Sequence, residues 1–182
     1  RFSPSLSAFA ATCSLEAACI AAPFAAGDRL ALLAARYGEA AGGFGGHVFG
    51  WAVVAVLVVL PAALVSGVQF PLLLALAGRG DRNVGRQVGL TLTSNTLGAI
   101  LGSLAGGFGL LPLLTAPGAW IVVVVLLVAL GLAALLAATR RGSLGRAWIV
   151  PVGAAVVALV CLRADGPTAV WRHSGIGAGR VA

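Results

Sequence analysis

An uncharged run from Gly89 to Pro112, GLTLTSNTLGAILGSLAGGFGLLP, constrains this chain more than any other stretch. Wound as a helix at about 100° per residue, it gathers Thr91, Asn95, Gly98, Gly102, Ala105, Gly106 and Gly109 on one arc. Leucines, Ile100 and Phe108 cover most of the rest. One face is thus stripped of side chains apart from the Asn95 amide. Lipid offers no hydrophobic force to draw helices together, so bare faces of this kind serve close helix–helix packing in a bilayer. Gly98, Gly102 and Gly106 form two overlapping GxxxG units, and Gly109 extends the face. Neighbouring helices are expected to dock here, either within the chain or from a second copy in a homo-oligomer.

The remaining composition agrees. Of 182 residues, 60% are hydrophobic and 9% charged, against about a quarter charged in soluble domains. Mean hydropathy is +1.05. The expected fold class is therefore all-α: a polytopic transmembrane helix bundle of about five membrane segments in contact with the lipid bilayer. The formal net charge of +7 comes from arginines lying between apolar segments. That reads as loop anchoring rather than nucleic-acid binding. Cys13, Cys19 and Cys161 all sit inside apolar runs, at spacings that match no zinc or redox motif, and read as small apolar fillers.

Taken in order, the expected segments cover residues 6–26, 47–77, 87–114, 119–139 and 147–163, forming a transmembrane domain over 1–163. Residues 164–182 read as a linker into a further soluble domain. Between the first two segments, the glycine-rich stretch 27–46 reads as a loop with one interfacial helix over 28–37. His47, with no second His or Cys nearby, reads as an interfacial residue rather than a metal ligand. Pro61 and Pro71 are expected to kink the second segment. Residues 115–118 read as an uncharged turn around Pro117. The fifth segment is short for a hydrocarbon core of about 30 Å, so it either thins the bilayer or stops short of crossing.

Glu16, Gln69 and Asn95 stand out as the candidate intramembrane polar residues. A carboxylate at helix centre costs about 2.5–3.5 kcal/mol on insertion scales. Glu16 should therefore face the bundle interior, on one helical face with Thr12 and Cys19. Three readings are open for it: a carboxylate that handles substrate or protons, a buried structural hydrogen-bonder, or a group near the headgroups of a helix that sits off-centre. Gln69, beside Phe70-Pro71, belongs near an internal cavity where backbone freed by proline is satisfied. Paired carboxylates, a Ser/His/Asp set, a metal cluster and a phosphate cradle are all missing from the sequence, so no catalytic residue and no cofactor is expected within these residues. Gly175, Gly177 and Gly179 lack the preceding strand that gives a nucleotide loop its mechanism.

Arg79, Arg82 and Arg86 precede the third segment, and Arg140, Arg141 and Arg146 follow the fourth. The positive-inside rule places both groups in the cytoplasm and the stretch 27–46 outside. If the fifth segment spans, the tail with Arg163, Arg172 and Arg180 emerges outside as well.

Asn95-Thr96-Leu97-Gly98-Ala99, then Gly102, Gly106-Gly107-Phe108 and Leu111-Pro112, form an NTLGA…G…GGF…LP pattern. With Pro61, Gly67, Phe70-Pro71 and the Gly85/Gly89 pair upstream, this resembles the membrane-embedded part of bacterial fused spermidine synthase-like proteins. The helices of that family resemble part of a major-facilitator half. The resemblance covers roughly residues 57–112. It implies a bacterial inner-membrane protein whose bundle anchors or serves a downstream aminopropyltransferase-like domain, with a polyamine or related small molecule as partner. Such a transferase acts on cytosolic substrates, which requires the tail inside. The alternative is a fragment of a secondary, major-facilitator-type transporter for a small cationic solute, with Glu16 as counter-charge. A third reading is a membrane anchor without cargo.

Overall fold

The first helix begins where Ser5 caps it: the Ser5 hydroxyl oxygen accepts from the Ala8 N–H at 3.1 Å, satisfying one of the orphan donors of the first turn. This is α1, Leu6–Ala26, and it ends at Gly27 with φ +52. The computed structural model describes residues 4–77, 84–142 and 146–168. The charged loop at 78–83 and the expected linker beyond residue 168 lie outside the described residues. Within them every regular element is a helix, as the composition requires.

Directly after Gly27 comes α2, Asp28–Ala41. It is longer than the interfacial helix expected at 28–37, and most of the glycine-rich stretch is helix rather than loop. Only Gly42 (φ +64) and Gly43 (φ +62) make the turn. Gly38 and Gly50 let α2 lie tightly on α3, Gly43–Ala77. A Cβ at Gly50 would stand 2.5 Å from the Ala34 carbonyl oxygen, and one at Gly38 would stand 2.6 Å from Nδ1 of His47. His47 therefore covers a helix contact. The rings of Tyr37 and Phe49 add an edge-on contact with centroids 5.9 Å apart.

At 35 residues, α3 is about 52 Å long. It outlasts a hydrocarbon core of about 30 Å, and its N-terminal third pairs with α2 beyond the end of α1. Pro61 and Pro71 lie inside the helix, which continues through both.

The third expected segment is not one uniform helix. α4, Val84–Leu104, passes into a π-helical stretch, Ala105–Leu110, and then into α5, Leu111–Arg140. At the expected turn, 115–118, two helical stretches of α5 meet across a kink at Thr115, with φ +61 and ψ 173. α6, Ile149–Cys161, has 13 residues and is shorter than expected at both ends. Among the described residues three helical runs are long and apolar enough to cross a membrane: Leu6–Ala26, Gly43–Ala77 and the interrupted run Gly85–Arg140.

The core is built around α1. Ala10, Cys13, Ser14, Ala17, Ala21 and Phe24 are buried on one side of it. Against them α5 packs Val124, Val128, Gly131, Ala134, Leu135 and Ala138, while α6 adds Pro151, Ala155 and Ala158. Phe9 and Ala10 cluster with Ala134 and Leu135, whereas Ala17 and Ala21 cluster with Val124 and Val128. α5 thus runs antiparallel to α1. Val152 joins the first cluster and Ala158 the second, so α6 runs parallel to α1 at the same depth. α3 runs antiparallel to α1, with Leu72 beside Phe9 and Cys13.

Close packing therefore occurs at a different glycine from those expected. A Cβ at Gly131 would lie 2.7 Å from the Ser14 hydroxyl oxygen and 3.2 Å from the Ala10 carbonyl oxygen. At Gly98, Gly102, Gly106 and Gly109 an added Cβ meets no heavy atom within 4 Å. No helix among the described residues docks on that face, because α1 supplies its own small-residue face, Ala10/Ser14 and Ala17/Ala21, to α5 and α6.

Candidate functional site

Antiparallel packing of α1 and α3 brings together two of the three intramembrane polar residues. Gln69 on α3 donates from Nε2 to Oε2 of Glu16 on α1, at 2.5 Å. Both side chains are half-buried. The Thr12 hydroxyl, on the same face of α1, is satisfied within its own helix, donating to the Phe9 carbonyl at 2.9 Å. Glu16 Oε1 has no hydrogen-bond partner among the described residues. Gln69 is neutral, so it orients the carboxylate without cancelling its charge. That leaves a carboxylate held between two helices, one oxygen engaged and the other available.

One turn of α1 beyond Glu16 begins an open-sided chamber of about 460 Å³ between α1, α2 and α3, with neither Glu16 nor Gln69 in its lining. Its lining includes Ala18, Cys19, Ala22, Leu57 and Pro61. Cys19 is one helical turn from Glu16 on α1. A second chamber, about 230 Å³, shares Pro23, Leu30 and Val58 with the first and reaches Asp28, Trp51, Trp120 and Pro167.

The second chamber is closed by contacts from α5 and from the chain that follows α6. Trp120 on α5 donates from its indole nitrogen to the Ile20 carbonyl at 2.9 Å and meets the Phe24 ring edge-on, centroids 6.1 Å apart. Beyond α6 the chain folds over the α1–α2 corner, where the Thr168 N–H donates to Asp28 Oδ1 at 2.8 Å. Gly166 (φ +68) lies on Phe24 so closely that a Cβ would come within 2.6 Å of the ring. The start of the expected linker is therefore a strap packed on the bundle.

Asn95 is not part of the Glu16–Gln69 pair. It lines a cleft of about 420 Å³ between α4 and α3, with Thr91, Ser94, Gly98, Phe70 and Leu73. Of the glycine arc, only its beginning faces another helix, across an open space.

Sequence reasoning did not reach the Ser14–Gly131 contact, the Trp120 anchor or the strap. The small-xxx-small spacing of Ala10/Ser14 and Ala17/Ala21 was a legible signal, overshadowed by the denser glycines downstream. The strap left no local signal, since it depends on Asp28 and Thr168 meeting across the fold. Among the described residues no group of three His, Cys, Asp or Glu side chains could hold a metal ion. Comparisons with protein-family models, with curated proteins and with solved structures find no match to this chain.

Proposed function

We propose that this chain is a solute-handling membrane domain of the secondary-transporter kind, with Glu16 and Gln69 as the centre of its site. The Glu16–Gln69 hydrogen bond at 2.5 Å carries this reading. An intramembrane carboxylate is costly, and here it is held in place by a neutral amide beside an apolar chamber. A small cationic solute, or a proton, is the natural complement of such a group. Uptake of cationic solutes into proteoliposomes tests the reading. Glu16→Gln should abolish Glu16-dependent flux while leaving insertion and helix content intact; unchanged flux would leave only an anchor.

A second reading is supported by the Asn95–Ala99 run and the glycines that follow it. In it the chain is the membrane domain of a spermidine synthase-like fusion in the bacterial inner membrane, serving an aminopropyltransferase-like domain that follows in sequence. The native reading frame, expressed whole and assayed for aminopropyl transfer from decarboxylated S-adenosylmethionine to a diamine, tests it directly. Activity would establish the fusion, and a frame continuing as further apolar helices would remove it. The arginine distribution bears on the choice. Arg86, Arg140, Arg141 and Arg146 lie at the end of the bundle opposite the α1–α2 corner, the cytoplasmic end by the positive-inside rule. The strap leaves the bundle at the other end, which favours the transporter reading over a cytosolic transferase.

A further inference from the structure

The chamber between α1, α2 and α3 combines features that together select a ligand class. Its volume, about 460 Å³, falls in the range of small-molecule sites, roughly 300–1,000 Å³. Its walls are hydrocarbon, and the Glu16 carboxylate, one turn before Cys19 on α1, has only its Oε2 hydrogen-bonded among the described residues. Ala22, Leu57 and Pro61 are exposed, so the chamber opens sideways, toward the bilayer. The adjoining chamber is lined in part by Trp51 and Trp120.

We infer that this chamber binds a small organic cation with an apolar body, its ammonium group on Glu16 and its hydrocarbon against Ala22, Leu57 and Pro61. The inference deepens the solute-handling reading and rests on it. An anion is repelled by Glu16 and finds no cationic group in the lining. A neutral apolar occupant, a lipid chain included, leaves the carboxylate charge uncompensated in a medium where that is expensive. A compact hydrated cation gains nothing from the apolar walls. An alkylammonium ion satisfies both the walls and the charge, and its amphiphilic form suits entry from the headgroup region.

The test uses radiolabelled octylamine with the purified chain in lipid nanodiscs. Saturable binding is expected. Glu16→Gln should weaken it by at least about tenfold, roughly the loss of one partly desolvated ion pair. Leu57→Trp, which fills the chamber from an exposed position, should weaken it similarly, and it carries the test alone if Glu16→Gln does not assemble. Octanol at matched bilayer concentration should not compete. Binding that does not saturate, survives both substitutions or is displaced equally by octanol would overturn the inference, leaving ordinary partitioning into a lipid-filled groove. Saturable, Glu16-dependent binding without uptake into proteoliposomes would sustain the site and remove the transport reading.

Discussion

At Gly131 the α1 and α5 backbones come close, and the consequences are specific to single atoms. Gly131→Ala places a methyl group against the Ser14 hydroxyl and the Ala10 carbonyl, and should cost about 1–3 kcal/mol of stability, the usual range for overpacking. Ser14 is fully buried and its hydroxyl makes no hydrogen bond among the described residues. Ser14→Gly in the Gly131→Ala background should therefore recover part of the loss. Thermal unfolding of the four proteins of this cycle in detergent reads the coupling directly, and additive effects would contradict the contact. Thr115 is strained in the opposite sense: its φ of +61 with ψ 173 belongs to a region almost reserved for glycine. Thr115→Gly should raise stability by about 1 kcal/mol, seen as a higher unfolding midpoint. Gly98→Ala and Gly102→Ala meet open space and should leave the isolated chain within about 0.5 kcal/mol of the parent. Loss of a cross-linkable dimer in those variants, with unchanged monomer stability, would instead assign the glycine face to a second copy.

Between elements, the strap after α6 is the contact with the widest reach. It ties residues 166–168 to Phe24, Gly27 and Asp28 across the whole sequence length of the bundle, and Pro167 closes one wall of the outer chamber. Gly166→Ala cannot keep this packing, because the added carbon overlaps the Phe24 ring. Trypsin should then cut after the exposed Arg163 several-fold faster than in the parent, as local opening becomes easier. An unchanged cleavage rate would mean that the strap rests on the corner without being held there. Asp28→Asn retains an acceptor for the Thr168 N–H and should cleave at a rate nearer the parent's than Gly166→Ala does. The same scale explains why α2 is a helix where glycines suggested a loop. Gly38 and Gly50 are spent on close approach to α3, so they stabilise the helix pair despite their poor helix propensity.

For the molecule as a whole, the parallel course of α1 and α6 decides which ends share a side of the membrane. Cysteines introduced at Gly142, just past α5, and at Asp165, in the strap, should respond oppositely to a membrane-impermeant maleimide in intact cells: protected at the first, labelled at the second. Equal labelling at both would mean that α6 does not traverse the depth that its packing on α1 implies. Much of this architecture was legible in the residues. Leu6–Ala26 was readable to the residue, because an apolar run between Ser5 and Gly27 carries its own start and stop signals. An all-helical membrane chain followed from the scarcity of charge, since backbone polar groups in lipid must be satisfied within a helix or a closed barrel. Glu16 and Gln69 stood out as candidates because polar side chains in apolar runs are expensive wherever the run ends up.

Their meeting was not legible. A hydrogen bond between residues 16 and 69 depends on the relative depth and rotation of α1 and α3, which Leu72, the chamber-lining Pro61 and the α2 hairpin set together. The glycine-rich face of α4 was equally visible in sequence, yet α1 took the close contacts through Ala10, Ser14, Ala17 and Ala21. Periodicity tells which side of a helix can be approached; it carries no information on which neighbour arrives. Composition and spacing thus determined that this chain forms apolar helices and which few polar groups they carry. Only the tertiary structure decided which faces meet, because packing is a competition among all available surfaces and its outcome belongs to no single segment.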